Sequence, residues 1–385
     1  MDVSIAMATY NGARYLPGQL DSLARQTVLP AELVVCDDQS CDATPDLVEK
    51  FARTAPFPVV LKENPQRLHF ADNFLQAADL CTSDYVAFCD QDDLWHPQKI
   101  AAVTEAFETS GACLVAHNAS VIDADGRVIG DLSHIDRNGV LTGAQLHPWG
   151  FFLGFTCTFK KQLLSMIPGD QRPFDIIDPT RRLAHDRWVA FLASIYGDVC
   201  VLDDELAGYR YHGSNASGWM KTPRGLTESI AAARLKFGYH LLKQLRIAQG
   251  LVELMGGLLS SPSRLQEVPS PPRLLEMLAY WRIYAERCAA RYTISKQDTP
   301  QLRAQKLGRA LANHAYRDAV NGSISYRALA LDLVVSLIAR PGQSGYAESL
   351  LSTSHAAANR PDQGAPGIAL LSQNQERVAT EQSHR

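Results

Sequence analysis

The stretch Tyr85–Pro97 reads YVAFCDQDDLWHP: an apolar run stops at three aspartates, Asp90, Asp92 and Asp93. A short apolar run closed by turn-forming polar residues is the pattern of a buried strand ending at a sheet edge. In an open α/β sheet, ligands lodge beyond the carboxyl ends of the strands. Three carboxylates crowded there repel one another unless a cation sits among them. Hard oxygen ligands suit Mg²⁺ or Mn²⁺, ions that commonly hold a diphosphate. The same residues also read as a solvated acidic turn in which Asp93 caps the next helix.

The segments before this stretch repeat its design. Val3–Ala8 is a first strand, and Thr9-Tyr10-Asn11-Gly12 turns the chain into a helix over Ala13–Gln26. Leu33–Cys36 is a second strand that ends at Asp37-Asp38, and a helix carrying Leu47, Val48 and Phe51 follows. Val59–Leu61 is a third strand, Phe74–Leu80 lies on a helix, and Tyr85–Cys89 is the fourth strand. Strands alternating with helices predict a parallel, doubly wound sheet. Right-handed crossovers then gather the strand ends on one rim, so Thr9, Asp38 and Asp90–Asp93 share it.

Beyond Pro97 the pattern predicts a helix over Gln98–Glu108, a strand over Ala112–His117 and a hairpin with a loop over Val121–Ile135. Trp149–Phe159 is rich in glycine and aromatics. Its Trp149, Phe151, Phe152 and Phe155 either pack in the core or stack on a sugar face. A helix over Ala184–Tyr196 holds His185-Asp186 in its first turn. A strand over Val199–Leu202 precedes Leu206–His212. Composition shifts near Gly213–Arg224, and long amphipathic helices follow. From Pro341 the chain loses its periodicity, as disordered segments do. Three regions result: 1–220 as the α/β domain, 221–340 as a helical region, and 341–385 as a disordered tail.

Composition narrows the classes of partner. The 37 basic and 41 acidic residues give a net charge of −4, and no basic stripe of a nucleic-acid binder is present. The eight cysteines are scattered, several inside apolar runs, which suggests buried thiols of a reducing compartment. No run of about eighteen apolar residues is present, so a membrane-spanning helix is not expected. Arg224–Arg246 is locally basic at helical spacing. It would suit either an anionic membrane surface or a solvated face packed on the α/β domain or a second copy.

No P-loop and no G-x-G-x-x-G follows the first strand, so the phosphates of a nucleotide are not expected in a glycine cradle. Two acidic strand ends on one rim fit a nucleotide site held partly by a cation. Taken in order and spacing, VSIAMATYNGARYL, LVVCDDQSCDAT and FCDQDDLWHPQK resemble the family 2 glycosyltransferases, which have the GT-A fold. NPQRLHFADNF, GFTCTFKKQLL, AHDRWVA and YRYHGSNASG are similar to its bacterial rhamnosyltransferase-like branch, which builds surface polysaccharides. The resemblance runs from about Val3 to Ser217. It departs at His69, where a glycine is usual, and at His185-Asp186, where Glu-Asp is the commoner pair.

The resemblance implies a GT-A, Rossmann-like, mostly parallel sheet with flanking helices and a C-terminal α-helical region. It also implies roles. Thr9, Tyr10 and Asp38 would surround the base and ribose. Asp90 and Asp92 would form the metal motif, with Asp93 beside the ribose or the metal's water shell. His212 would complete the metal site or hold the diphosphate. Asp186 would be the general base of an inverting displacement, with Trp149, Arg187 and Trp188 on the acceptor side. The implied partners are a nucleotide-diphosphate sugar, dTDP-rhamnose or a UDP-sugar, and a glycan or lipid-linked acceptor. The implied cofactor is Mn²⁺ or Mg²⁺, and the implied place is the cytoplasm, including the inner face of the plasma membrane. Two other readings compete. A nucleotidyltransferase would carry a Gly-rich basic loop after the first strand, and ATYNGARYL has one Gly and one Arg. A non-catalytic sugar-binding protein would have lost acids, yet Asp38, Asp90, Asp92 and Asp186 all remain.

Overall fold

The structure is a computed structural model of the 385-residue chain. It describes residues 1–132, 138–146, 148, 152–175, 181–212, 226–261, 270–295, 299–317, 324–326, 329 and 332–333, with side chains of the long 226–260 helix from residue 241. The expected tail, 341–385, lies outside the described residues, as do Trp149 and Phe151.

Four strands open the chain: β1 (Val3–Thr9), β2 (Glu32–Asp37), β3 (Val59–Glu63) and β4 (Tyr85–Asp90). They pair in parallel in the order β3-β2-β1-β4. The strand order reverses at β1, so the rim above β1 and β4 is the switch point where α/β sheets bind ligands. β2 is buried along its whole length and β4 through its middle, which is why both read as continuous apolar runs. The helices between them are α1 (Leu16–Ala24), α2 (Thr44–Ala52) and α3 (His69–Leu80).

After the two-residue β5 (Leu94–Trp95) come α4 (Lys99–Ser110), β6 (Leu114–Ile122), β7 (Val128–Leu132) and β8 (Gly139–Leu141). β9 (Cys157–Lys160) runs antiparallel between β4 and β6, pairing Phe159 with Val86 on one side and Leu114 on the other. The sheet is therefore mixed: parallel in its first half, with β9 reversed inside it and β5, β7 and β8 also antiparallel to their partners. α5 (Leu163–Met166) and α6 (His185–Tyr196) follow. The segments read as separate, Val199–Leu202 and Leu206–His212, form one strand through Arg210, β10 (Val199–Arg210). Register shifts on either side of Glu205 bend β10 so that its end crosses to β5, with Ala207 opposite Trp95. That bend carries Arg210 and His212 back to the rim of β4.

Two cores face the sheet. One joins Ile5, Met7 and Val35 to Leu16, Leu20 and Val48. The other joins Val34, Phe88 and Phe159 to Phe74 of α3 and to Trp188 and Leu192 of α6. It continues into two C-terminal helices, α7 (Leu226–Ser260) and α8 (Pro271–Ser295), through Leu251, Met255, Leu274 and Met277. α9 (Pro300–Ala312) packs on α8 through a smaller core with Ile294, Leu307 and Tyr316. The expected α/β architecture with C-terminal helices is thus present, and the helices share a core with the sheet. Among the described residues, no helix is long and apolar enough to cross a membrane. Asp332 is buried and accepts from Arg291 Nε and the Tyr316 hydroxyl. Within the basic stretch Lys243 turns inward to Asp175 at 3.5 Å and Arg246 is exposed, while Arg224 and the side chains of Arg234 and Lys236 lie outside the described residues. All eight cysteines are free, and seven of them are buried.

Candidate active site

The rim above β1 is built by side chains that bind the protein's own backbone. Thr9 is buried and its hydroxyl donates to Asp37 Oδ1 at 2.8 Å. Asp37 in turn accepts from the amide and hydroxyl of Ser40, which turns the chain into α2. Asp38 accepts from Leu68 N at 2.6 Å, His69 N at 2.8 Å and Asn64 Nδ2 at 3.2 Å. These bonds commit the Asp38 carboxylate to holding the 64–69 loop. His69 has φ +63°, the left-handed region in which a glycine would be at ease. His69 thus takes the backbone conformation that a glycine would favour, and the Asp38 bond to its amide helps to hold it.

Tyr10 is 38% exposed, and the Arg67 guanidinium lies 3.8 Å from its ring centroid. The backbone of Tyr10 is fixed from below by Gln91, which accepts from its amide and donates to its carbonyl. A β-carbon at Gly12 would overlap the Gln91 side chain, so a larger residue here would displace it from Tyr10. Sequence reasoning did not single out Arg67 or Gln91. Both lie inside quoted motifs, NPQRLHF and CDQDD, and their positions beside Tyr10 come only from the fold.

The acids of β4 divide into different environments. Asp92 Oδ2 lies 2.8 Å from His212 Nε2, so β10 brings its end onto the acid cluster. The His212 ring stacks on Tyr15 at 5.0 Å. Arg210 donates through Nε to the Asp92 carbonyl and through its amide to Asp93 Oδ1. Asp93 is 1% exposed, and among the described residues its Oδ2 has no hydrogen-bond partner. Burial, then Asp92 and Asp90, push its carboxyl well above the usual range. A side chain sealed in this way ties β10 to β4 and is closed off from the rim, where the expectation had it beside a ribose or a metal's water shell. Asp90 ends β4 half-buried, and its carboxyl is pushed up to about 8, first by burial and then by Asp92 and Asp186. Behind them sits Lys99, fully buried, with Nζ 2.5 Å from the Phe155 carbonyl and 3.5 Å from the Trp95 ring centroid. Burial lowers its ammonium to about 7 against the pull of Cys89, Asp93 and Asp90.

Asp186 stands in the first turn of α6, half-buried, with Oδ1 accepting from the Arg187 amide. Its field reaches Asp90, Arg187 and Lys243. Arg187 is partly buried and lines a small apolar cavity of ≈ 60 Å³ among Leu183, Phe191, Leu251 and Trp281. Trp188 does not reach an acceptor: it is 1% exposed and stacks on Phe191 inside the core. Phe152 and Phe155 are likewise core residues.

His185, next to Asp186, is buried, and burial pulls its imidazole down to about 4. The unfolded chain takes up a proton near the ordinary value of 6.5, while the folded chain refuses it until about 4. Stability from this residue is therefore complete above about pH 6.5 and falls by about 3 kcal/mol as the pH drops through that window. Urea unfolding at pH 7.5 and 4.5 checks this. His185→Gln should show a smaller loss between the two pH values than wild type, and equal losses would contradict it.

Among the described residues, no three His, Cys, Asp or Glu side chains form a ready cage for a metal. The donor set is narrower: Asp92 with His212, and Asp90 under repulsion from Asp92. Mg²⁺ is typically held by one or two carboxylates, with substrate phosphates and water completing the shell, and carboxylates suit Mn²⁺ equally. The residues present fit an ion of that kind.

Glycosyl transferase family 2 matches residues 4–166. An uncharacterised glycosyltransferase of Nostoc sp. is 30% identical over 227 residues, 56% of this chain and 66% of that protein. The succinoglycan biosynthesis protein ExoO of Rhizobium meliloti is 29% identical over 224 residues, 55% of this chain and 60% of that protein. The dTDP-rhamnosyl transferase RfbG of Shigella flexneri is 32% identical over 118 residues, 30% of this chain and 38% of that protein. The chain thus spans about two thirds or less of the length of these relatives. The matched segment contains β1 through β4 and the acids at their ends, and by it residues 4–166 of the chain are a glycosyl transferase family 2 domain.

Proposed function

We propose that the chain transfers a sugar from a nucleoside-diphosphate donor to a hydroxyl of a glycan or lipid-linked acceptor in polysaccharide biosynthesis, inverting the anomeric centre. The geometry that carries this reading is the meeting of Asp92 and His212 at 2.8 Å, with Asp186 of α6 close enough to raise the Asp90 carboxyl together with Asp92. Acids from β4 and from α6, about a hundred residues apart in the chain, thus act on one place. Relatives named for dTDP-rhamnosyl transfer and for succinoglycan biosynthesis support the donor and pathway classes.

In this reading Tyr10 and Arg67 lie against the nucleoside, with Thr9 and Asp38 shaping the rim. Asp92, Asp90 and His212 hold a divalent cation, which when bound neutralises negative charge on the leaving diphosphate. Asp186 accepts the proton of the incoming hydroxyl as it attacks from the opposite face. Arg187 orients that carboxylate through its amide. One displacement inverts the centre and needs no carboxylate nucleophile.

Calorimetry with UDP and dTDP, each with and without Mn²⁺, tests the donor half. The expected result is nucleoside-diphosphate binding that strengthens with Mn²⁺. Binding of nucleoside triphosphates alone would overturn the reading in favour of a nucleotidyltransferase. A hydrolysis screen of UDP- and dTDP-sugars then identifies the donor.

A further inference from the structure

We propose that the ring of His185 is the positioning residue that sets Asp186 opposite Asp90, acting as a rigid spacer between strand β4 and helix α6. This rests on the reading of Asp186 as the base.

The His185 ring is enclosed on several sides. It stacks on Phe74 of α3 at 4.1 Å and meets Phe88 edge-on at 4.8 Å and Phe70 at 6.0 Å. On a further side it meets Gly154, where a β-carbon would overlap Nε2. Phe88 and Asp90 are two residues apart on β4, so their side chains leave the same face of the strand. His185 immediately precedes Asp186 on α6. The ring therefore belongs to the residue before one acid and meets the same-face residue two before the other, and its thickness sets their separation.

The wall behind the ring is stiff. Gly154 opens a short turn in which the Thr156 amide and hydroxyl both donate to the Leu153 carbonyl at 2.8 Å. Lys99 holds the same turn through the Phe155 carbonyl. The ring itself is 5% exposed, and among the described residues neither nitrogen has a hydrogen-bond partner. Burying two unpaired polar nitrogens opposes folding. A polar ring kept there without bonds serves by its shape and its packing.

The test is a mutant cycle read with the donor that the hydrolysis screen identifies. Gly154→Ala drives a methyl into the ring, which Phe74 and Phe88 prevent from retreating, so the first turn of α6 has to move. A displacement near 1 Å at a reacting group costs on the order of 100-fold in rate. The expected result is that loss in kcat, with UDP or dTDP affinity within about threefold of wild type, as for a group acting after binding. His185→Ala should also lower kcat at unchanged nucleotide affinity. In the double variant the added methyl meets no ring, so its kcat should be no lower than that of His185→Ala alone. Such non-additivity is the mark of direct contact.

Full kcat in Gly154→Ala, or losses that simply multiply in the double variant, would overturn the proposal. So would a parallel loss of nucleotide affinity, which signals general disruption. If Gly154→Ala does not fold, His185→Ala decides alone by the same split of kcat from affinity. Asp186→Asn run alongside separates the two ideas. If that variant keeps its rate, the base reading fails. If it is inactive while Gly154→Ala keeps its rate, only the spacer fails.

Discussion

Asp186→Asn is expected to lower sugar transfer by about 10²–10⁴-fold, the range that positioned general bases contribute, while UDP or dTDP affinity stays within about threefold. Asparagine keeps the shape of the side chain and an oxygen for the Arg187 amide, so the first turn of α6 is preserved. What it removes is the capacity to take a proton. Comparing kcat with nucleotide affinity separates these roles. A large loss of affinity with little change in kcat would make Asp186 a donor-binding residue, and the assignment of base would fall.

The second large effect is expected at Asp92. Asp92→Ala should remove the strengthening of UDP or dTDP binding by Mn²⁺, by more than the roughly 10–100-fold that loss of an outer metal partner costs. Asp92 is the acid in contact with His212, so its loss also leaves that imidazole without its carboxylate partner. Binding in the absence of Mn²⁺ should change little. Calorimetry with and without the ion reads both quantities, and unchanged Mn²⁺ dependence would exclude Asp92 as a ligand.

The first half of the sheet was legible because β1, β2 and β4 are buried on both faces and so carry unbroken apolar runs bounded by polar turns. β9 was not: four residues in a Gly- and aromatic-rich stretch become a strand only because β4 and β6 lie ready on either side. β10 was read as two pieces because acids interrupt it, and register shifts carry it past them. At the site, the acids at strand ends were visible, but their partners were not. Whether Asp38 faces a ligand or the 64–69 loop depends on hydrogen bonds across 26 to 31 residues of chain. The burial of Trp188 did have a local signal. Trp188, Phe191, Leu192 and Ile195 follow helical spacing and mark the inward face of α6. Proximity to Asp186 in sequence outweighed that periodicity. Lys243 had no such signal, since its partner Asp175 lies on another element.

The most direct test of the convergence of β4, β10 and α6 is anomalous diffraction at the manganese edge from crystals grown with dTDP or UDP and Mn²⁺. The predicted result is one manganese peak against Asp92 and His212, touching the diphosphate, with the Asp186 carboxylate facing that diphosphate across the same cleft. A peak remote from Asp92, or a diphosphate that Asp186 does not face, would contradict it.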